Sequence, residues 1–141
     1  MKTAATVSIF IGLLWIAKAH AATMGEISED EIDRHISGWC FTAFYQSYGK
    51  DGPTGPLIWI NDQSDALIRL NDQTIGLTHQ STETKPMRTA RFSSEDGKTV
   101  VAYTFKKLKS RQGFDDVLAT FVLTHGGENQ TFHLKGTNSC W

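Results

Sequence analysis

The side chains able to do chemistry are few and widely spaced. Past residue 21 the chain carries four histidines, His35, His79, His125 and His133, and two cysteines, Cys40 in SGWCFTAF and Cys140 in the closing GTNSCW. Zinc chemistry needs such ligands in close sets, as in HExxH on a helix, and the sequence has no such set. Nucleophilic hydrolysis from a strand-turn-helix elbow needs G-x-S-x-G, which is also missing. The acidic neighbours fare no better. Asp62 and Asp65 in NDQSD lack the alternating ligands and central glycine of a calcium loop. Adjacent Asp115 and Asp116 point to opposite faces of any strand that holds them, a poor geometry for paired acid-base work. Both pairs read as loop solvation and turn formation. The expectation is a protein that is not an enzyme and that holds no metal or cofactor.

One cluster of charge and one of aromatic rings remain. KKLKSRQG places Lys106, Lys107, Lys109 and Arg111 at a strand end and its following loop. Such a run serves either as solvated charge guarding a strand against edge-to-edge pairing or as a contact for an anionic partner, whether acidic protein, glycan or lipid head group. The aromatic cluster is WCFTAFYQSY, with Trp59 and Trp141 beyond it. A chain this small needs most of its large apolar groups inside. By alternation Phe41 and Phe44 take opposite faces of the first strand, as do Tyr45 and Tyr48, so some rings must cover an outer surface or line a site.

The N-terminal segment indicates where such a protein works. Lys2, an apolar run from Val7 to Ala17 and the small-x-small triplet Ala19-His20-Ala21 make residues 1–21 a secretory signal peptide. The run is shorter than the roughly 20 residues that span a bilayer, and no later segment approaches that length. The expected location is periplasmic or secreted, with no membrane span. Without Lys2 and Lys18, 12 of the 14 basic residues remain against 15 acidic ones, a formal charge of −3, which argues against nucleic acid as a partner. In an oxidising compartment two cysteines pair. A Cys40–Cys140 bridge closes a loop of about 100 residues, for which chain entropy gives about 4.7 kcal/mol of stabilisation. Residues 22–141 are then one disulfide-stapled β domain.

Punctuation and alternation define the elements that carry these residues. Ser28 and Glu31 make a capping box, Ile27 and Ile32 occupy the staple positions and Gly38 offers a stop. A short helix from about Glu29 to Ile36 is expected, docking Ile32 and Ile36 on a sheet. Beyond Gly38 the period changes to two, with a turn signal roughly every ten residues. Three hairpins set their own registers. An Asp96-Gly97 turn pairs Phe92 with Val101 and Ala90 with Tyr103, and an Asn71-Asp72 turn pairs Ile68 with Ile75 and Ala66 with Leu77. A turn centred on Gly127-Glu128 pairs Leu123 with Phe132 and Phe121 with Leu134. Each register collects one apolar face. The last sends His125 and His133 to opposite faces, His125 near the rim on the apolar side.

With WCFTAFYQSY and PLIWI these hairpins make about eight strands of an all-β antiparallel meander. A meander has two open edges, which closure into a small barrel removes. The bridge from the first strand to the residues after the last supports closure independently; a two-sheet sandwich satisfies the same pattern if one hairpin folds across. Size, compartment and strand pattern together resemble the small periplasmic lysozyme inhibitors, secreted eight-stranded barrels stapled by a disulfide. The nearest text to that family's Ser-Gly-x-x-Tyr loop is Ser37-Gly38-Trp39-Cys40-Phe41, with phenylalanine in the tyrosine position, so no site residue is carried across. The functional expectation is a non-enzymatic binding protein that holds a macromolecular partner, inhibition of a secreted hydrolase included. The alternative is a small-ligand carrier that uses the barrel interior. Against it, the inward residues Phe92, Tyr103, Phe105, Phe121 and Phe132 are bulky.

Overall fold

Ser28 opens the first element. Its hydroxyl accepts from the Glu31 N–H and the Glu31 carboxylate accepts from the Ser28 N–H, both at 3.3 Å, and this reciprocal cap starts helix α1, Glu29–His35. The structure is a computed structural model that describes residues 21–85 and 87–140. Helix α1 does not end on a glycine stop: Ile36 caps it in extended geometry. Gly38 serves a close approach instead, since a Cβ there would meet the Asp62 side chain at 2.7 Å. Ile27 and Ile36 bury against Ala43, Ile60 and Leu67, with Ile32 packed alongside, so the helix docks on the sheet as expected. The Glu31 carboxylate also accepts from Thr74 Oγ1 at 2.8 Å and from Arg69 Nη1 at 3.3 Å, which ties the cap to two strands.

In chain order the strands are β1 (Thr42–Tyr45), the two short strands β2 (Tyr48–Gly49) and β3 (Gly52–Pro53), then β4 (Leu57–Asn61), β5 (Asp65–Leu70) and β6 (Gln73–Glu83). There follow β7 (Thr89–Ser93), β8 (Thr99–Arg111), β9 (Phe114–His125) and β10 (Glu128–Asn138). Eight of them close into an antiparallel barrel in the order β1-β10-β9-β8-β7-β6-β5-β4, while β2 and β3 form a separate two-stranded hairpin. The ring closes because β1 pairs with both β10 and β4. The sandwich is thereby excluded.

Two of the three expected registers are found: Phe92 faces Val101 and Ala90 faces Tyr103, and Ile68 faces Ile75 and Ala66 faces Leu77. The third is displaced by two residues. Gly126 and Gly127 take φ of 59° and 82°, the left-handed angles of a two-residue turn, so His125 pairs with Glu128, Phe121 with Phe132 and Leu123 with Gln130. Two adjacent glycines adopt those angles without the steric cost that Glu128 would meet. A displacement by an even number leaves every side chain on its face, so the apolar interior is unaffected. Bulges between Phe44 and Tyr45, between His79 and Ser81 and between Lys107 and Lys109 bend the strands around the ring.

Large rings fill the interior. Trp59 lies edge-on to Phe121 at 5.2 Å and to Phe92 at 5.4 Å, and Phe44 to Tyr103 at 5.2 Å. Phe44 sits opposite Gly136 in the β1–β10 seam, where any Cβ would overlap the Ala43 carbonyl, so only glycine lets these strands approach. At the entrance to β1 and the exit of β10 the Cys40–Cys140 disulfide joins the chain ends.

WCFTAFYQSY is not one strand. It breaks after Tyr45, and Thr54 N–H and Gly55 N–H both donate to the Ser47 carbonyl, folding the β2–β3 hairpin back over the outside. Tyr45 and Tyr48 consequently share a side, their ring centroids 6.0 Å apart, rather than lying on opposite faces. Strand β6 runs on through Glu83 and takes in most of THQSTETKPM. Among the described residues no helix is long and apolar enough to cross a membrane. The signal segment, apart from Ala21, lies outside the described residues, as do Pro86 and Trp141.

Candidate functional site at the disulfide end of the barrel

Antiparallel closure gives the barrel two unlike ends. The tight turns of β5–β6, β7–β8 and β9–β10 mark one. The other gathers the start of β1, the end of β10 and the β4–β5, β6–β7 and β8–β9 connections, together with the disulfide. The exposed large apolar side chains belong to this second end: Trp39 at 93% exposure beside Cys40, Met87 at 60% in the β6–β7 connection and Leu108 at 48% in the β8 bulge. Lys106, Lys107 and Lys109 flank Leu108, are exposed and have no ion pair among the described residues. Arg88 stands beside Met87 in the same condition.

Arg111 leaves this group. Its Nε donates to Asp116 Oδ2 at 2.7 Å and its Nη2 to the Lys50 carbonyl at 3.0 Å. The Tyr48 hydroxyl donates to the other oxygen of Asp116, so the carboxylate clamps the β2–β3 hairpin to β8 and β9. Burial works to raise the pKa of Asp116, but the Tyr48 hydroxyl and the Arg111 guanidinium outweigh it and hold the carboxyl below its ordinary range. Burial, and then the charge of Asp116 that its hydroxyl serves, push Tyr48 upward. Asp115 and Asp116 therefore are not solvated loop residues: β9 begins at Phe114, and both are buried in its ladder on alternate faces. Asp115 Oδ2 has no hydrogen-bond partner among the described residues.

Asp62 is a turn former, as its sequence context implies, although it is buried and not solvated. Its carboxylate accepts the N–H groups of Ser64 and Asp65 at 2.7 Å and of Gly38 at 3.0 Å, which joins the chain after α1 to the β4–β5 turn. Burial acts to raise its pKa, and the backbone donors Asp65, Ser64, Gly38 and Ser37 together lower it. The histidines stay apart. His125 Nδ1 bonds Thr99 Oγ1 at 2.8 Å at the rim of the tight-turn end, while His133 is exposed on the outer face. His79 lies within β6, against Phe92 at 5.4 Å. Among the described residues no three metal-ligating side chains come together.

Beside Arg88 and Cys140 the lumen opens to solvent as a cavity of about 160 Å³, while Trp39 lines a neighbouring groove with Gln63, Ser64 and Asp65. Its floor is polar: Thr42, Asn61, Tyr103 and Asn138 are each at most 4% exposed. Trp59 Nε1 and the Tyr103 hydroxyl both donate to Asn61 Oδ1 at 2.8 Å, and Thr42 Oγ1 donates to Asn138 Oδ1 at 2.8 Å. Burial pushes Tyr103 up to about 12 despite its hydrogen bonds to Thr42 and Asn61. Phe92, Phe105 and Ala90 line the wall, and His79 and Arg88 the opening. Sequence reading missed this floor because its members come from four strands and lack any shared spacing. Trp39 carried one usable signal, its place next to a bridged cysteine; Arg88 carried none.

Comparison of the chain with protein-family models, curated proteins and solved structures finds no match.

Proposed function

We propose that this is a secreted or periplasmic binding protein, without catalytic activity of its own, that docks its disulfide end on an acidic face of a macromolecular partner. A secreted hydrolase with a carboxylate-lined cleft is the partner class that fits best. The observation that carries the reading is the placing of an almost fully exposed tryptophan, Trp39, at the same end as the unpaired cations Lys106, Lys107, Lys109 and Arg88. A water-exposed indole at the barrel end that also carries the cations is a candidate interface anchor, since tryptophan and arginine supply much of the binding energy at interfaces. The cations fit acidic partners and speed encounter with them. The acidic turn of α1, with Glu29, Asp30 and Glu31, packs on the β5 side, three strands round the ring from β8, so it lies away from the lysines of β8. A leader-like N-terminus and a disulfide are compatible with the location. The carrier reading has less support, because Trp59, Phe44, Phe92 and Phe121 occupy the interior.

Calorimetric titration of a panel of secreted hydrolases with acidic clefts into the disulfide-bonded protein tests this. Binding of one member, weakened at least tenfold by joint substitution of Lys106, Lys107 and Lys109 with alanine and by raised salt, is the expected result. An absence of binding across the panel, or affinity indifferent to those substitutions, overturns it.

A further inference from the structure

The polar floor of the mouth has a one-sided hydrogen-bond balance. Asn61 Oδ1 is taken by two donors, and Asn138 Oδ1 by Thr42 Oγ1 and the Cys140 N–H. The amide nitrogens are each used once, Asn61 Nδ2 toward the Asp62 carbonyl at 2.8 Å and Asn138 Nδ2 toward the Cys140 carbonyl at 2.9 Å. A primary amide has two N–H donors, so each carboxamide retains one hydrogen with no acceptor among the described residues. The Arg88 guanidinium borders the same cavity with neither an ion pair nor a side-chain hydrogen bond among those residues. Asp62, the carboxylate in the lining, is already committed to backbone N–H groups. The mouth thus presents spare amide donors and one unpaired guanidinium over apolar walls, and buried donors left without acceptors are costly.

We infer that the mouth of the barrel is a binding site for a carboxylate on a short chain, held between Arg88 and the spare amide hydrogens of Asn61 and Asn138, with its apolar stem against Phe92 and Phe105. Charge-assisted bonds from a guanidinium suit a carboxylate geometrically. Size limits the stem. At about 30 Å³ per water the cavity holds roughly five waters, well short of the 300–1,000 Å³ typical of drug-sized ligands. An aspartate or glutamate side chain fits, as does a free acid of three or four carbons. Only the source of the carboxylate rests on the docking reading: the rim around the mouth favours an acidic side chain of the docked partner.

The test is an NMR titration of the isotope-labelled, disulfide-bonded protein at constant ionic strength with sodium butyrate, with neutral butyramide and with the capped peptide acetyl-Gly-Glu-Gly-amide. The expected result is saturable movement of the Asn61 and Asn138 side-chain amide signals with the acids and none with butyramide. Arg88→Gln, at an exposed position, should keep the rest of the spectrum and weaken the response at least tenfold. Saturation by the peptide at or below the butyrate concentration assigns the group to a protein partner; saturation by butyrate alone assigns it to a free acid. Equal movement with butyramide, no movement with either acid, or an unaltered response in Arg88→Gln overturns the site. Butyrate binding in a protein that binds no hydrolase would sink the docking reading alone. Hydrolase binding with no response to either acid would sink the mouth alone.

Discussion

Asp116 is the clearest case of one side chain holding two elements. Tyr48→Phe removes a hydroxyl that donates to its charge, and hydrogen bonds to charged groups contribute about 1.5–3 kcal/mol; this partly exposed one should fall near the lower figure. The expected outcome is a lower denaturation midpoint in urea with faster amide exchange in β2 and β3. Acid should act on the same clamp. Asp116 and Asp62 both have folded pKa values below the ordinary 3.8. A carboxyl with a depressed folded pKa stabilises fully above its unfolded value, and that contribution is lost as pH falls through the folded one. Thermal melts should therefore show a flat plateau at neutral pH and a fall below about pH 4, and Asp116→Asn should make that fall shallower. Arg111 looked like a fourth member of the lysine group because spacing alone cannot show a partner. Its carboxylate lies across the β8–β9 turn, and the tyrosine that shares it comes from the β2–β3 hairpin. By contrast, His125 could be read correctly from its own strand, since alternation and nearness to the turn sufficed to place it inward at the rim.

The hairpins separate what alternation determines from what turns determine. Facing depends only on parity, so Phe121, Leu123 and Phe132 point inward under either register. Register depends on which residues take positive φ, and in a run such as His125-Gly126-Gly127-Glu128 two placements look alike until the glycine pair is weighed as a unit. The β2–β3 hairpin leaves no sequence signal, because two-residue strands show no alternation. The Gly136 requirement was hidden for another reason: it arises from strands that meet only when the ring closes. Gly136→Ala should force β1 and β10 apart, with a loss of roughly 1–3 kcal/mol, the usual cost of overpacking. Hydrogen exchange should localise the loosening to Thr42–Tyr45 and leave β6 to β9 protected. Uniform loosening, or none, would contradict the role assigned to that seam.

Closure gives the molecule its two unlike ends, and the disulfide reinforces the end that carries the candidate site. A Cys40→Ser, Cys140→Ser protein should lose about 2–5 kcal/mol in urea denaturation yet keep the interior rings that organise the barrel. Persistence of the near-ultraviolet dichroism of Trp59 and its neighbours would show this. Length, hydrophobic alternation and two cysteines sufficed to anticipate an eight-stranded barrel stapled between its first and last strands. They could not show that Trp39, Met87, Leu108 and the lysines share one end, because that grouping exists only in the closed ring. Trp39→Ala tests the docking account most directly. At 93% exposure this indole contributes little to folding, so its removal should leave the denaturation midpoint unchanged. The account predicts that affinity for the hydrolase bound by the wild type falls by about thirtyfold, the loss of about 2 kcal/mol that marks an interface anchor. Full affinity in Trp39→Ala would contradict it.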